Sequence, residues 1–418
     1  MGDKPRITLD SGTQAVIRED GWSSLLSGFG TRRDPSESTN ISASPRLTRN
    51  AVEEVYRADG IGRRIVDLPA EEMTRKWVTV EGQNHKRRQV ELNDLDARQK
   101  FARALRWAGL YGGAVMVMLI RDGSADLAEP LNEGAIQGVD DLIVYDRHQV
   151  TWTEQDISND PRSVYFGRAE RMTIQPIAGM PYIVHRSRVL MFDGEDVPDR
   201  MRQQNNGWGD SRLQPVYRAL GRYAESLGGT SQIIRDFVTP VLAMKNLSDL
   251  IASGQENLVR KRLEILGVSQ SMLNLRLIDA DSEVYTKHAS SVSGIDKLLQ
   301  ELKNNLSACT GIPQTRLFGK SADGMNATGE GDARDFYDAI ASEQQDKLMP
   351  NVRQLVYLLD LANDGEPADR DVKANPLWQL DGAELSTTRK TNTEAATMAV
   401  DYGLIDDETA QRWVGEGE

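Results

Sequence analysis

Apolar positions recur at helical spacing from Asn50, with Val52, Val55, Tyr56, Ile61, Ile65 and Val66 on one face, and the pattern predicts a helix that ends before Pro69. A second helix is expected from about Asp94 to Gly109, buried through Leu95, Phe101, Leu105 and Trp107. Gly109, Gly112 and Gly113 break it and lead into the apolar run Ala114 to Ile120, read as a strand. Between about 140 and 193 the texture changes to short strands at Leu142 to Tyr145, Gln149 to Thr153, Ser163 to Phe166, Tyr182 to Val184 and Arg188 to Phe192. Their connections are too short for helical crossovers, so the block is expected to be antiparallel.

Asp210 or Ser211 can cap the next helix, whose stripe is Leu213, Val216, Tyr217, Leu220, Ala224 and Leu227, with Gly228-Gly229 as a weak point and Pro240 as its end. A small mixed segment follows, with a strand at Val241 to Met244, a charged helix from about Ser248 to Leu266, and strands at Met272 to Ile278 and Glu283 to Thr286. A helix then opens at Ser293 and carries Ile295, Leu298, Leu299, Leu302, Leu306 and Cys309 on one face. A stretch with five glycines, Gly311 to Gly331, precedes a long helix from Asp332 to Leu361 in which Pro350 should produce a kink. Residues 1–48 are polar and aperiodic and read as an extended arm. The fold class is α+β.

Composition narrows the functions open to such a chain. The 418 residues carry a net charge of −13, so tight enclosure of nucleic acid by phosphate neutralisation is disfavoured. The segment 363–418 alone holds 13 acidic and 5 basic residues and is expected to lie mainly at the surface. One cysteine, Cys309, excludes an intrachain disulfide framework and any cysteine-based zinc cluster. The polar first ten residues lack the apolar core of a secretion signal, which points to synthesis in the cytoplasm. The run Ala114 to Ile120 is far short of the roughly 20 residues a membrane helix needs.

Chemical motifs are weak. Gly319-Lys320-Ser321 ends like a phosphate-binding loop, but Gln314 stands where the first glycine belongs, and a helical stripe precedes it instead of a strand. Two His-x-Ser triplets, His185-Arg186-Ser187 and His288-Ala289-Ser290, present the residue types of a two-histidine phosphoesterase, although a histidine at a strand end more often just bonds locally. No histidines are spaced for metal binding on a helix face, so no metal, cofactor or catalytic residue is assigned. Arg63, Arg64, Arg75 and Lys76, and the run Lys86-Arg87-Arg88, read as a solvated face or as ion pairs between subunits. The stretch 311–331 is longer than ordinary helix connections and is expected to be a mobile, functional loop.

The order of these parts, together with several strings, resembles bacteriophage portal proteins, the connector rings between head and tail. The strings are Gly60 to Pro69 (GIGRRIVDLP), Leu110 to Ala114 (LYGGA), His185 to Leu190 (HRSRVL), Gly207 to Ser211 (GWGDS), and Gly311-Ile312-Pro313 through Leu317-Phe318-Gly319 to Asn326-Ala327-Thr328-Gly329-Glu330. The resemblance implies a homo-oligomer of twelve subunits around a tunnel for double-stranded DNA, located at a capsid vertex of the virion. It divides the chain into an N-terminal arm (1–48), a β-rich wing (49–210), stem helices (211–239 and 293–310), a small α/β clip (240–292), a tunnel loop (311–331), a long kinked helix (332–362) and an acidic C-terminal segment (363–418) with a reduced crown.

In that scheme Arg316, Lys320, Ser321, Asp323, Gly324, Asn326, Thr328 and Gly329 face DNA, while Leu213, Tyr217, Leu220, Leu298, Leu302 and Leu306 pack the stem and the oligomer. The implied partners are the terminase large subunit, a head-completion or adaptor protein and the major capsid protein, with no membrane. The family is also sometimes joined to phosphodiesterase-like segments that counter cyclic-nucleotide defence, which keeps a two-histidine phosphodiesterase as the alternative.

Overall fold

The computed structural model describes residues 6–8, 14–16, 46–82, 84–237, 241–245, 247–254, 257–261, 276–279, 294–319, 330–365, 371–378, 390 and 393–399. The chain divides into two units, 1–48 and 49–418. The first contains a short antiparallel hairpin, β1 (Arg6–Thr8) against β2 (Gln14–Val16), within the segment expected to be an extended arm.

The second unit opens with α1 (Arg49–Ala58) and α2 (Gly60–Arg75). Asp59 separates them and caps α2, its carboxylate accepting from the amides of Ile61 and Gly62 at 2.7 and 2.8 Å. Gly62 has no room for a side chain, because a Cβ would lie 2.5 Å from Val55 and 3.2 Å from Leu220. Pro69 lies inside α2, contrary to the expected stop; burial of Ile65, Val66, Leu68, Ala70 and Met73 outweighs its local preference. After β3 (Val78–Val80), helix α3 (His85–Asp94) precedes α4 (Ala97–Tyr111). The sequence pattern did not anticipate α3, whose few apolar positions leave little periodicity.

The basic run on α3 also corrects an expectation. Arg88 is fully buried, and its Nε donates to Asp360 at 2.6 Å, an ion pair inside the chain rather than a solvated or intersubunit charge. Arg87 remains exposed and pairs with Glu91 at 3.1 Å.

The second unit centres on a three-stranded antiparallel sheet ordered β5–β4–β9, formed by β4 (Gly113–Arg121), β5 (Gly138–Asp146) and β9 (Val189–Asp193). Strand β4 is the middle strand and is buried on both faces, which explains its unbroken apolar run. Val115 and Val117 project toward a second antiparallel sheet, β6 (Val150–Thr151), β7 (Arg171–Ile174) and β8 (Tyr182–His185), and join a core with Met172, Ile174, Val184 and Trp208. Side-chain alternation turns Ala114, Met116 and Met118 to the opposite face, and α4 packs on this sheet. Phe101 of α4 lies edge to face with Phe192 at 5.5 Å and with Trp77 at 5.6 Å. The antiparallel expectation holds in both sheets. The segment 163–166, expected to be a strand, forms turns with a single bridge at Phe166, and β7 takes its place in the sheet.

Following α5 (Asp199–Gln204), the next helix α6 (Tyr217–Phe237) starts later than its capping signal suggested and runs unbroken through Gly228-Gly229. Parallel strands β10 (Val241–Met244) and β11 (Arg276–Asp279) pair beside α7 (Leu247–Ala252) and a helical turn α8 at 257–261. The single charged helix expected here is broken at Gly254, which has φ +74°. The strand expected at Glu283 to Thr286 lies outside the described residues. Helix α9 (Ile295–Thr310) is capped by Gly294 at φ +108°, and the expected cap, Ser293, lies outside the described residues. Helix α10 (Gln314–Leu317) is a single turn.

The long helix is α11 (Glu330–Glu343), a π-helical turn Gln344–Leu348, and α12 (Met349–Asp364). Its irregularity precedes Pro350 and takes the form of a widened turn; the proline ring would crowd the carbonyl of Asp346 in a regular helix. The acidic segment is not wholly superficial either, since β12 (Val372–Ala374) pairs with β3, and Leu377 is buried.

Glycines bind the β5–β4–β9 sheet to the segment that precedes α6. A Cβ on Gly113 would stand 2.1 Å from the Trp208 ring, and one on Gly194 would stand 2.5 Å from the Asp210 carbonyl oxygen. Gly113→Ala or Gly194→Ala should therefore cost about 1–3 kcal/mol in urea unfolding. Gly221→Ala, where a Cβ meets nothing within 4 Å, should be neutral or stabilising by about 0.5–1 kcal/mol. Equal effects at the three sites would refute the packing argument.

Candidate functional site at the root of the glycine-rich loop

Helices α6 and α9 pack together. Of the six stem positions predicted from the stripe, Leu213, Leu220 and Leu306 are buried within the chain, Leu302 is half-buried, and Tyr217 and Leu298 are exposed. The α6–α9 pair therefore buries some of these apolar positions and leaves others exposed. Leu298 is 58% exposed, too much for a side chain serving an internal core.

The chain leaves α9 through Gly311 at φ +66°, a left-handed cap that glycine adopts without strain. Ser307 Oγ donates to the Ile312 carbonyl at 2.6 Å, and Ile312 and Leu317 are buried. Pro313 leads into α10, which docks on α2. The expectation of a mobile loop over 311–331 is thus corrected for its first nine residues. They are packed, because Ile312 and Leu317 supply the apolar anchors that the glycines lack. Lys320, Ser321, Asp323, Gly324, Asn326, Thr328 and Gly329 lie outside the described residues.

Arg316 is at the centre of this root. Its guanidinium donates to the Tyr337 hydroxyl, lies 5.2 Å from that ring's centroid, and comes within 4.0 Å of Glu72. Arg75 also lies 5.2 Å from the Tyr337 ring centroid, and it pairs with the other Glu72 oxygen at 2.6 Å. Arg64 Nε donates to the Arg316 carbonyl at 2.5 Å. Phe318 packs on Tyr223 of α6 at 5.8 Å, with Lys303 of α9 above its ring. The two ends of the glycine-rich stretch are consequently held together, the incoming end by α10 and the outgoing end by Tyr337 of α11. Arg316 had been singled out by sequence; Glu72 and Tyr337 had not. Their partners lie hundreds of residues away, and the only local sign is the Glu72, Arg75 spacing of an i, i+3 ion pair.

The two histidine triplets fare differently. His288 lies outside the described residues. His185 is buried; its Nδ1 accepts from the Ser187 amide at 3.2 Å and stands 2.9 Å from Ser187 Oγ, which in turn accepts from the Leu131 amide at 2.9 Å. Arg188, fully buried, reaches Asp122 at 2.6 Å and the Glu129 carbonyl at 3.0 Å. The string His185 to Arg188 thus fastens the 122–131 loop to the sheet. Burial holds the His185 imidazole below its ordinary value of 6.5, against the pull of Glu170 at 4.0 Å. Among the described residues no cluster of three or more His, Cys, Asp or Glu could hold a metal ion, and no helix is long and apolar enough to cross a membrane.

The "Phage portal protein" family matches residues 50–398, most of the chain. The chain belongs to the phage portal protein family. Among solved structures, this portal-family chain is similar to a chain of the "Neck of empty GTA particle computed with C6 symmetry", with 13% identity, a TM-score of 0.52, and coverage of 90% of this chain and 97% of that one. A chain of the "Virion of native gene transfer agent (GTA) particle" gives 14% identity and a TM-score of 0.51 over 88% and 94% of the two chains. Both likenesses concern the fold.

Curated relatives are 29% and 28% identical, the "Anti-CBASS protein Acb1" of Caulobacter sp. (strain RHG1) and of Sphingomonas paeninsulae, over 91% and 92% of this chain. The portal-family chain spans 63% of the length of each. An uncharacterized protein of Haemophilus influenzae is 27% identical over 93% of this chain and 88% of its own length.

The burial of His185 has a pH consequence. Its folded value lies below the unfolded one, so the unfolded chain binds more protons in that window and stability falls as pH drops below about 6.5. His185→Gln should flatten this loss: the gap in urea midpoint between wild type and variant should narrow from about pH 7 to pH 5.5. An unchanged gap would mean that His185 does not titrate on unfolding.

Proposed function

We propose that the chain is one subunit of a ring of twelve copies at a capsid vertex of a virion, enclosing the channel through which double-stranded DNA is packaged and ejected. Family membership over residues 50–398 carries this reading. The ring would dock the terminase large subunit during packaging and a head-completion or adaptor protein afterwards, with the major capsid protein around its wing. Synthesis would take place in the host cytoplasm. The subunit's role is structural, and it requires no cofactor.

Three features of the chain support the reading. Exposed Tyr217 and Leu298 on the stem give each copy an apolar strip that a neighbouring copy can cover. The root around Arg316 and Tyr337 holds both ends of the glycine-rich stretch, so residues 320–329 would extend into the tunnel from a fixed base. A net charge of −13 per copy keeps the surroundings of DNA repulsive, which favours sliding over adhesion. Lys320 would make the renewable phosphate contacts, with Ser321, Asp323, Gly324, Asn326, Thr328 and Gly329 lining the same loop. Arg316, already engaged by Tyr337 and Glu72, would chiefly position the loop.

Electron microscopy of the purified protein should reveal rings with a central hole; compact monomers would defeat the proposal. Lys320→Ala and Arg316→Ala should reduce DNA packaging or retention while rings still form. Unchanged packaging and retention in both would remove the loop's contact role.

A second reading, a two-histidine phosphodiesterase acting on cyclic nucleotides, draws on the two His-x-Ser triplets, His185-Arg186-Ser187 and His288-Ala289-Ser290. His185 is occupied here as a buried cap, so the purified protein should leave cyclic nucleotides intact. Cleavage abolished by His185→Ala or His288→Ala would reverse the assignment.

A further inference from the structure

Trp77, between α2 and β3, carries two unfavourable features at once. Its φ is +58°, a left-handed backbone that a bulky side chain adopts only under constraint. Its indole Nε1 is buried and has no hydrogen-bond partner among the described residues. Such a conformation persists only where its surroundings impose it.

The segment 371–378 supplies that constraint. The Asn375 amide donates to the Trp77 carbonyl at 3.1 Å, its Nδ2 donates to the Lys76 carbonyl at 2.9 Å, and its Oδ1 accepts from Thr79 Oγ1 at 2.8 Å. One side chain and its amide thus grip the backbone on both sides of the strained residue. Strand β12 continues the contact along Val78 to Val80, and the Glu81 amide donates to the Asp371 carbonyl at 2.9 Å. Lys373 adds an exposed pair with Glu81, which contributes little.

The other end of the segment reaches the root of the glycine-rich stretch. Leu377 is buried, its carbonyl accepts from Arg75 Nη2 at 3.0 Å, and the Trp378 ring lies 6.1 Å from that of Tyr337. Arg75 and Arg316 both lie against the Tyr337 ring, and Arg316 donates to its hydroxyl. A single short segment therefore joins a strained tryptophan to the side chain on which Arg316 rests.

We propose that residues 371–378 act as a latch with two states. Docked, they impose the left-handed conformation on Trp77 and, through Arg75 and Trp378, fix Tyr337 and Arg316. Undocked, Trp77 relaxes, its indole N–H reaches water, and α10 loses its support from α11. Strain released at Trp77 opposes docking, so the docked state is favoured by less than its contacts alone would give, and a perturbation at Asn375 is felt at Arg316. The latch is a property of the isolated chain, so it stands or falls separately from the ring and from DNA.

The test is hydrogen exchange read by mass spectrometry on the full chain and on its Asn375→Ala and Trp378→Ala variants. Both side chains are half-buried, so the fold should tolerate their loss. In Asn375→Ala, exchange should rise about tenfold at Val78 to Val80, the weight of one or two lost hydrogen bonds. It should rise by a similar factor at the α10 amides of Arg316, Leu317 and Phe318, which bond to the Pro313 and Gln314 carbonyls and not to the latch. Trp378→Ala should also speed exchange at α10, and β4 should stay as slow as in the unsubstituted chain. The emission of Trp77, taken as the difference between chains with and without Trp77→Phe, should move to longer wavelength in Asn375→Ala. Faster exchange confined to 76–81 would make the segment a strand with no coupling to Arg316, and faster exchange in β4 as well would make it part of the core. Either result overturns the proposal, as does unchanged exchange at α10 in Trp378→Ala or an unshifted Trp77 emission.

Discussion

Three stretches of backbone meet at the end of β9 with no space for a side chain between them, and the remainder of the architecture is hung on that crossing. A Cβ on Gly112 would lie 2.4 Å from the Gly209 oxygen, one on Gly194 would lie 2.5 Å from the Gly112 Cα, and one on Gly209 would lie 2.5 Å from the Glu195 oxygen. Gly112 ends α4, Gly194 follows β9, and Gly209 leads toward the stem. Reciprocal backbone bonds between Glu195 and Asp210, at 2.9 and 3.0 Å, close the crossing. Helix α6 begins only a few residues later, so its departure from the sheet is set here. Arg212 then extends the junction electrostatically, bonding Glu195 at 2.9 Å and Glu343 at 2.6 Å, with Lys347 on Glu195 at 3.4 Å. Two basic side chains thereby tie Glu195 to the end of α11 and the π-helical turn.

Buried ion pairs add specificity rather than bulk stability. Arg88 with Asp360 joins α3 to α12, and Arg188 with Asp122 secures the loop after β4. Desolvating such pairs offsets most of their attraction, but leaving either partner alone is heavily penalised, so mispaired arrangements are excluded.

The entry to the glycine-rich stretch is anchored from several sides. Its glycines favour many backbone conformations, yet Ile312 and Leu317 lock its entry and the Arg316, Tyr337 and Glu72 group couples that entry to its exit. The joint hold by α2, α9 and α11 supplies the base of the stretch.

Periodicity along the chain determined most of the helices, the buried run of β4 and the antiparallel character of the wing, because burial on one face or two leaves a direct imprint on residue order. It also located the family strings, whose glycines mark places where backbone approaches backbone. It failed where local and distant effects compete: at Pro69, kept inside α2 by its buried neighbours; at α3, whose polar surface hides its period; and at 163–166, where strand-like residues form turns. The candidate site was legible only as Arg316 and a run of glycines. That Arg316 rests on Tyr337 and Glu72, that His185 caps a loop, and that Arg88 lies inside were decided by tertiary structure. A charged side chain's environment is made by residues far along the chain, and no local pattern records whether a guanidinium meets water, a carboxylate or neither.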